Sequence, residues 1–445
     1  MPVKPLKTII HRPKDLAEFI HKRLEHNTID IHPIELKVLE DLFDGLFYAS
    51  LHSEEGELIR VTVTLFEEAN PQLKTRKFEA GDKWRYVPFA APIPFTVNNL
   101  VKLSKAADPW SSSLAVYYDH SNELFIYGMI DQAIHSLSYI NFESDHKPDQ
   151  PGYFNATING IGNISVTTEY DLIATLKQDC LICEYLNVFQ SGPVRDHIRR
   201  LARVLTRNMY KPLKESYPEI DPTEWEGAQT IIVRNTLARI LNQIKKYNHG
   251  GALLFSNETD NLDIKYNLEY DRLASAMANI INVKIGIDQL ADTDLERSLT
   301  LEEHIESSRL TRRKKFAENE LKGAIRFVAS QSCVDGLVLL NYSMVVKGFG
   351  VVINSLEQPR YIYKSSRATP NAKNLDRMET EKFGTRHRSM FAYCDAYPGS
   401  LGFVISQDGD IRAVTKIGEQ LVMWENIQTQ KTLRSAFFKR DMHQL

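Results

Sequence analysis

The stretch Gly250-Gly251-Ala252-Leu253-Leu254-Phe255 decides the fold class of the second half of this chain. Two glycines open a short, uninterrupted apolar run, the pattern of a strand buried on both faces. Before it, Leu237, Ile240, Leu241 and Ile244 recur at helical spacing and predict a helix over Thr230–Tyr247. After it a second helix is expected over Tyr270–Ile281. A charged, helix-prone segment follows over Leu295–Lys322 and includes Arg312-Arg313-Lys314-Lys315. Strand-like runs come next at Gly336–Asn341, Met344–Ile353 and Leu401–Ser406. Alternation of this kind predicts a mixed α/β layer.

The first half reads differently. An amphipathic helix is expected over Pro33–Leu46, with Ile34, Val38, Leu39, Leu42 and Phe43 on one side. Phe47–Leu51 and Leu58–Phe66 flank Glu54-Glu55-Gly56 and predict a hairpin. Leu114–Tyr118 and Leu124–Met129 flank Asp119-His120-Ser121-Asn122 and predict another. Phe154–Thr168 adds strand-like sequence punctuated by Gly160 and Gly162. A helix with Pro193 in its first turn follows to Tyr210, and its polar face carries Arg195, Arg199, Arg200, Arg203 and Arg207. A solvated or ion-paired face explains that arginine row better than nucleic acid does. The proline-bearing stretch Lys211–Glu226 is the expected domain boundary.

The fold class is therefore α/β (α+β). Residues 1–220 form a β-rich domain ending in helices, and 228–430 a mixed-sheet domain flanked by helices with a charged helical insertion at about 292–322; 431–445 is a tail. The 445 residues, 43% apolar and 25% charged, suffice for two cores. A formal net charge of -3 argues against wholesale binding to nucleic acid or an anionic membrane. No apolar run approaches the roughly 20 residues that span a bilayer, and Met1–Lys22 has no signal-peptide core. Four cysteines fit a reducing, cytoplasmic setting. Cys180-Leu181-Ile182-Cys183 lacks a second ligand pair for zinc and reads as a buried structural pair.

Chemistry concentrates in Phe383-Gly384-Thr385-Arg386-His387-Arg388-Ser389. Two guanidiniums, an imidazole and a hydroxyl beside a glycine supply several charge-assisted donors, which suits the oxygens of a triphosphate. Upstream, Asp335-Gly336 stands at the mouth of an apolar run, where a carboxylate can hold a divalent cation or orient a hydroxyl for attack on phosphorus. Downstream, Leu401–Ser406, Gln407-Asp408-Gly409-Asp410 and Ile411 read as strand, polar turn, strand.

In order and spacing this set resembles the diadenylate cyclase domain family. Gly251-Ala252-Leu253 matches its first strand, Asp335-Gly336 its Asp-Gly-Ala motif, and Gly384 to Arg388 its Gly-Thr-Arg-His-Arg motif without a change. Ser406 matches the start of its Ser-Glu-Glu. The resemblance covers roughly Ile231–Glu425. The N-terminal half, including Leu46–Leu51 and Glu54-Glu55-Gly56, is similar to the companion region of a divergent branch, the DACNV sensor domain.

The resemblance implies metal-dependent condensation of two ATP molecules to cyclic di-AMP across a face-to-face dimer. Asp335 and Gly336 would be the catalytic pair, and Gly384, Thr385, Arg386, His387, Arg388 and Ser406 would bind the nucleotide and its phosphates. Mg²⁺ or Mn²⁺ would be held by Asp335, with Gln407 or Asp408 as further ligands. Gln407 stands where the family has a glutamate, Leu337 where it has an alanine, and the charged segment looks like an insertion. These departures keep a second function open: a catalytically inactive sensor that binds ATP or a cyclic dinucleotide and signals to a partner through the N-terminal domain. A homo-oligomer is expected under the first, and a signalling or effector partner under the second.

Overall fold

The computed structural model describes residues 10–25, 34–66, 84–132, 139, 152–168, 171–219, 221, 225–247, 249–354, 356–407 and 409–430. Part of the charged N-terminus, Pro222, the metal candidate Asp408 and the 431–445 tail lie outside the described residues. Two compact units result, one of Met1–Glu184 with Gln430–Leu445, the other of Tyr185–Thr429.

The first unit carries helices α1 (Pro13–Glu25), α2 (Leu36–Ser50) and α3 (Val97–Ser104) with strands β1 (Ser53–Glu54), β2 (Glu57–Leu58), β3 (Val61–Leu65), β4 (Trp84–Pro94), β5 (Ser112–Tyr118), β6 (Leu124–Gln132), β7 (Phe154–Gly160), β8 (Asn163–Thr168), β9 (Asp171–Lys177) and β10 (Cys180–Ile182). An eight-stranded sheet runs β10-β9-β8-β7-β3-β5-β6-β4. Its pairings are antiparallel except β3 with β5. β4 carries Pro88, Pro92 and Pro94, which cannot donate to a ladder, and it lies at the sheet edge.

Phe47–Leu51, expected as a strand, is instead the end of α2 and its C-cap. The buried period Leu42, Leu46, Ala49, Ser50 continues past the aromatic pair, so helical packing outweighs strand propensity. Val38, Leu39, Leu42, Phe43 and Leu46 are all fully buried, each contributing about 1.5–3 kcal/mol of gross apolar burial. The expected glycine turn exists on a smaller scale. Glu55 and Gly56 have φ of 53° and 82°, as a two-residue hairpin turn requires, and join β1 to β2. The expected strand Leu58–Phe66 divides between β2 and β3.

The second unit holds α4 (Gly192–Ser216), α5 (Glu226–Lys246), β11 (Gly251–Phe255), β12 (Leu262–Tyr270), α6 (Arg272–Glu296), α7 (Leu301–Gln331), β13 (Leu337–Leu340), β14 (Val346–Ile353), β15 (Tyr361–Ser365), β16 (Leu375–Glu379), α8 (Thr385–Ala396), β17 (Leu401–Ile405), β18 (Ile411–Ile417) and β19 (Gln420–Trp424). The boundary falls at Glu184/Tyr185 rather than in the proline-bearing stretch. α4 continues through Pro212 to Ser216, because Met209 and Leu213 hold that turn in the core. It belongs with the second unit, where His197 Nε2 lies 2.9 Å from Thr415 Oγ1 of β18.

The sheet order is β12-β14-β13-β11-β17-β18-β19-β15-β16. β11 pairs in parallel with β13 and antiparallel with β17, and all five of its residues are buried. Ala252 and Leu254 join Met390, Phe391, Tyr393 and Cys394 of α8 in one core. Gly251 faces the other way, where a Cβ would meet Ile244 of α5 and Ser332. Helices therefore cover both faces, which explains an apolar run without alternation. The charged segment forms the C-terminal end of α6 and most of α7. A capping box starts α7: Thr300 accepts from the Glu303 amide while Glu303 accepts from the Thr300 amide.

Gly336 has φ of +115°, and a Cβ there would sit 2.5 Å from the Gly350 carbonyl carbon. Gly336→Ala is expected to lower the unfolding free energy by at least about 2 kcal/mol, combining backbone strain with overpacking. Gly323→Ala, on α7 with open space around it, is expected to raise it by about 0.5–1 kcal/mol. Denaturant titration of both variants checks the contrast.

Candidate functional site

Strand directions bring the motifs to one end of the second unit's sheet. β11 and β13 run parallel, so Gly250 and Asp335-Gly336 precede them side by side. β17 is antiparallel to β11, with Gly251 opposite Ile405, so Ser406-Gln407 emerge at that same end. Asp335 and Gln407 thus stand two strands apart, about 10 Å by strand spacing. Arg412, opposite Val404, and Glu425, just after β19, complete the row. α8 begins here as well: a Cβ on Gly250 would lie 2.9 Å from Arg386 Nη1 and 3.2 Å from the Gln407 amide nitrogen.

The first turn of α8 is unusual for a helix start. Gly384 is the N-cap without a side-chain cap bond, and the first turn has no acidic residue. Arg386, His387 and Arg388 occupy it instead, although a helix N-terminus favours negative charge. The His387 and Arg388 amides donate to the Gly384 carbonyl, leaving those of Thr385 and Arg386 without an intrahelical acceptor. A Cβ on Gly384 would meet nothing within 4 Å, and its φ of -67° suits any residue. Arg388 Nε is buried with no hydrogen-bond partner among the described residues. The turn therefore offers donors and positive potential toward open space.

His387 plays a different part from its neighbours. Arg412 Nη1 donates to His387 Nε2 at 3.0 Å, so that ring nitrogen is an acceptor and the imidazole is neutral. Burial first, then the Arg412 and Arg386 charges, push its pKa down to about 4. Its ring packs near Phe383 and Phe391. Arg412 in turn donates from Nε to Glu425 Oε1 at 2.7 Å, and Lys364 Nζ lies 2.6 Å from Glu425 Oε2. Burial pushes the Glu425 carboxyl up, but these two cations outweigh it and hold its pKa below the usual value. His387 is thus an anchor for the turn, tied through Arg412 to a half-buried carboxylate.

The other expected residues divide. Thr385 and Asp335 are exposed, and Asp335 makes no ion pair among the described residues. The Gly350 backbone packed against Gly336 by itself requires a glycine there. Ser406 Oγ accepts from the Asp410 amide at 3.0 Å and closes the β17–β18 turn, so it is a turn residue. Gln407 is exposed on that turn, beyond the end of β17. Asp408 lies outside the described residues. Among the described residues no three His, Cys, Asp or Glu side chains converge as a metal cluster.

Arg412, Glu425 and Lys364 were not legible as site residues in the sequence. Lys245 was not either, and its aliphatic stem lies over Gly409. An aromatic pair with one exposed member, Tyr266, also lies beside Asp335. Tyr266 stacks on Phe349 at 4.8 Å, and its ring borders Gly350, against which Gly336 packs. Elsewhere, Cys180 is exposed on the edge strand β10, so the expected buried cysteine pair does not exist. The arginine row of α4 is partly paired, Arg203 with Glu226 at 2.8 Å and Arg195 with Asp196 at 2.8 Å.

Residues 32–131 match the family described as "Probable sensor domain DACNV". The match runs from the start of α2 to the end of β6, inside the first unit, and includes Leu46–Leu51 and Glu54-Glu55-Gly56. No curated protein matches the chain. Among the described residues no helix is long and apolar enough to cross a membrane.

The two buried histidines give a pH signature. His197 is also held at about 4, by burial and then Arg200. Each stays neutral when folded but takes a proton near pH 6.5 when unfolded. Their stabilisation is full above pH 6.5 and is lost as pH falls toward about 4. Stability is expected to decline by up to about 1.4 kcal/mol per pH unit for each histidine in that window. Denaturant melts at stepped pH should show a shallower decline for His387→Gln than for the unaltered chain.

Proposed function

We propose that the second unit is a nucleotide-phosphate-binding module of the diadenylate cyclase type, working as a sensor of ATP or a cyclic dinucleotide. The observation that carries this is the first turn of α8. It carries the half-exposed Arg386 and Arg388 and two amides without an intrahelical acceptor beside the open Gly384, with no acidic residue to balance them. Unbalanced positive charge at a helix start is unfavourable for the helix alone and favourable once an anion is bound. The sequence resemblance supplies the ligand class, and its matching motifs meet at this sheet end.

The sensor form of the proposal draws support from the DACNV match in the first unit and from the carboxylates. Glu425 is neutralised by Lys364 and Arg412, and Gln407 supplies only a neutral amide. Among the described residues the side chains at this end therefore do not form a protein-built cage for Mg²⁺ or Mn²⁺. The enzymatic form rests on Asp335, an exposed carboxylate about 10 Å by strand spacing from the β17–β18 turn. There it could orient a ribose 3′-hydroxyl toward the α-phosphorus of a second ATP, with pyrophosphate leaving.

Calorimetry with ATP, cyclic di-AMP and inorganic triphosphate tests the binding site. Replacing Arg386 and Arg388 together by alanine should weaken binding at least about tenfold, the worth of one lost charge-assisted hydrogen bond. Unchanged affinity would remove the phosphate assignment. Incubation with ATP and Mn²⁺, followed by mass detection, separates the two forms. Cyclic di-AMP that vanishes in Asp335→Asn would establish the enzyme, and binding without product the sensor.

A further inference from the structure

We propose that the groove between α6 and α7 is a binding site for a short peptide with free termini, about three residues long. The inference stands apart from the nucleotide site and does not depend on it. The two helices are joined by a short connection and pack as an antiparallel pair. Between them lies a cavity of about 540 Å³, within the range of about 300–1,000 Å³ usual for small-ligand sites. Glu306, Leu310 and Arg313 line it from α7, and at about 100° per residue they fall within an arc of about 60°. Gly286, Leu290, Thr293 and Glu296 line it from α6. Gly286 lets the walls approach: a Cβ there would lie 2.9 Å from Tyr217 Oη and 3.0 Å from Leu310 Cδ1. Tyr217, the C-cap of α4, closes the groove at this end. Its hydroxyl donates to the Asn282 carbonyl at 3.2 Å and keeps its lone pairs as acceptors.

Charge is sorted by sign along this groove. Leu310 lies at Gly286 and the helices are antiparallel, so Arg313 falls beyond Gly286 and Glu306 falls toward Glu296. Seven residues separate Glu306 from Arg313, about 10.5 Å along the axis. Arg313 therefore stands at the Tyr217 end, and Asp292, Glu296 and Glu306 gather toward the other. The Tyr217 phenol feels both signs: burial pushes its pKa up, the Arg313 charge pulls it down, and the Glu306 charge pushes it up. Neither end is neutralised from within. Arg313 makes no ion pair among the described residues. Arg309 lies 3.5 Å from Glu306 but is 70% exposed, so solvent screens that pair. Leu290 and Leu310 supply apolar surface between the ends. Acids alone would suit a cation, and a lone guanidinium an anion. Acids at one end, a guanidinium at the other and leucines between suit a molecule with an ammonium and a carboxylate at opposite ends of an apolar body. An extended chain advances about 3.3–3.6 Å per residue, so three residues set its termini about 10 Å apart. The N-terminal ammonium then lies among the carboxylates, and Arg313 takes the C-terminal carboxylate through paired N–H donors.

Calorimetry of the full chain with the peptide Ala-Leu-Ala, its N-acetyl form, its C-terminal amide and spermidine tests the proposal. The free peptide should bind, and each capped form should bind at least about tenfold more weakly, having lost one charge-assisted contact. Arg313→Gln should abolish the preference for the free peptide over its amide while keeping the preference over the N-acetyl form. Glu296→Gln with Glu306→Gln should do the reverse. These positions are exposed or half-exposed, so circular dichroism should show the fold intact. Arg386→Ala should leave peptide binding unchanged, which separates this groove from the nucleotide site. No binding of Ala-Leu-Ala, capped forms that bind as well as the free peptide, or spermidine binding more tightly than the peptide would each overturn it.

Discussion

Burial of β11 on both faces is the constraint on which the second unit depends. A strand with α8 on one side and α5 on the other has no solvent face, so its five residues must all be small or apolar. Its neighbours are held to matching positions on either side. The parallel partner β13 and the antiparallel partner β17 are fixed in register by it. Because one begins and the other ends at the same level, three loops far apart in sequence are forced to one end of the sheet. Whatever chemistry the chain has here follows from that coincidence.

A second layer of order is electrostatic. The turn that starts α8 concentrates positive charge where a helix tolerates it least, and it is held there by a chain of polar contacts reaching across three strands. Glu425 draws in Lys364 and Arg412, and Arg412 spends one of its remaining donors on His387. The histidine thereby gives up its basicity and becomes a rigid post, while Arg386 and Arg388 on either side keep donors to spare. Partly buried ion pairs of this kind contribute little net stability, because desolvation and solvent screening offset their attraction. Their use is geometric: they fix where the two guanidiniums stand.

The charged segment that interrupts the resemblance to the cyclase family is an ordered helix with its own capping box and its own buried face. It follows β12 and α6 and precedes β13, and its buried side carries Leu310, Ala317, Leu321 and Val328.

Local pattern alone was enough for several elements. The apolar run of β11, the helical period of α5, the hairpin joining β5 to β6 and the donor-rich character of 384–388 are all legible, because each depends on neighbours a few residues away. The exceptions have physical causes. Phe47–Ser50 looks like strand but is helix, since only the assembled core shows that Ala49 and Ser50 are buried with Leu42 and Leu46. Pro212 looks like a stop but is not, since Met209 and Leu213 hold the helix through it. Gly336 was legible as a required glycine, but not that Gly350 is what requires it. Nor could sequence foretell that Ser406 would be taken up by its own turn, or that Arg412, Glu425 and Lys364 would immobilise His387. Residue types and short-range periods belong to the chain itself. Which end of the sheet they reach, and which charges neutralise which, is decided only when strands distant in sequence are laid about 5 Å apart.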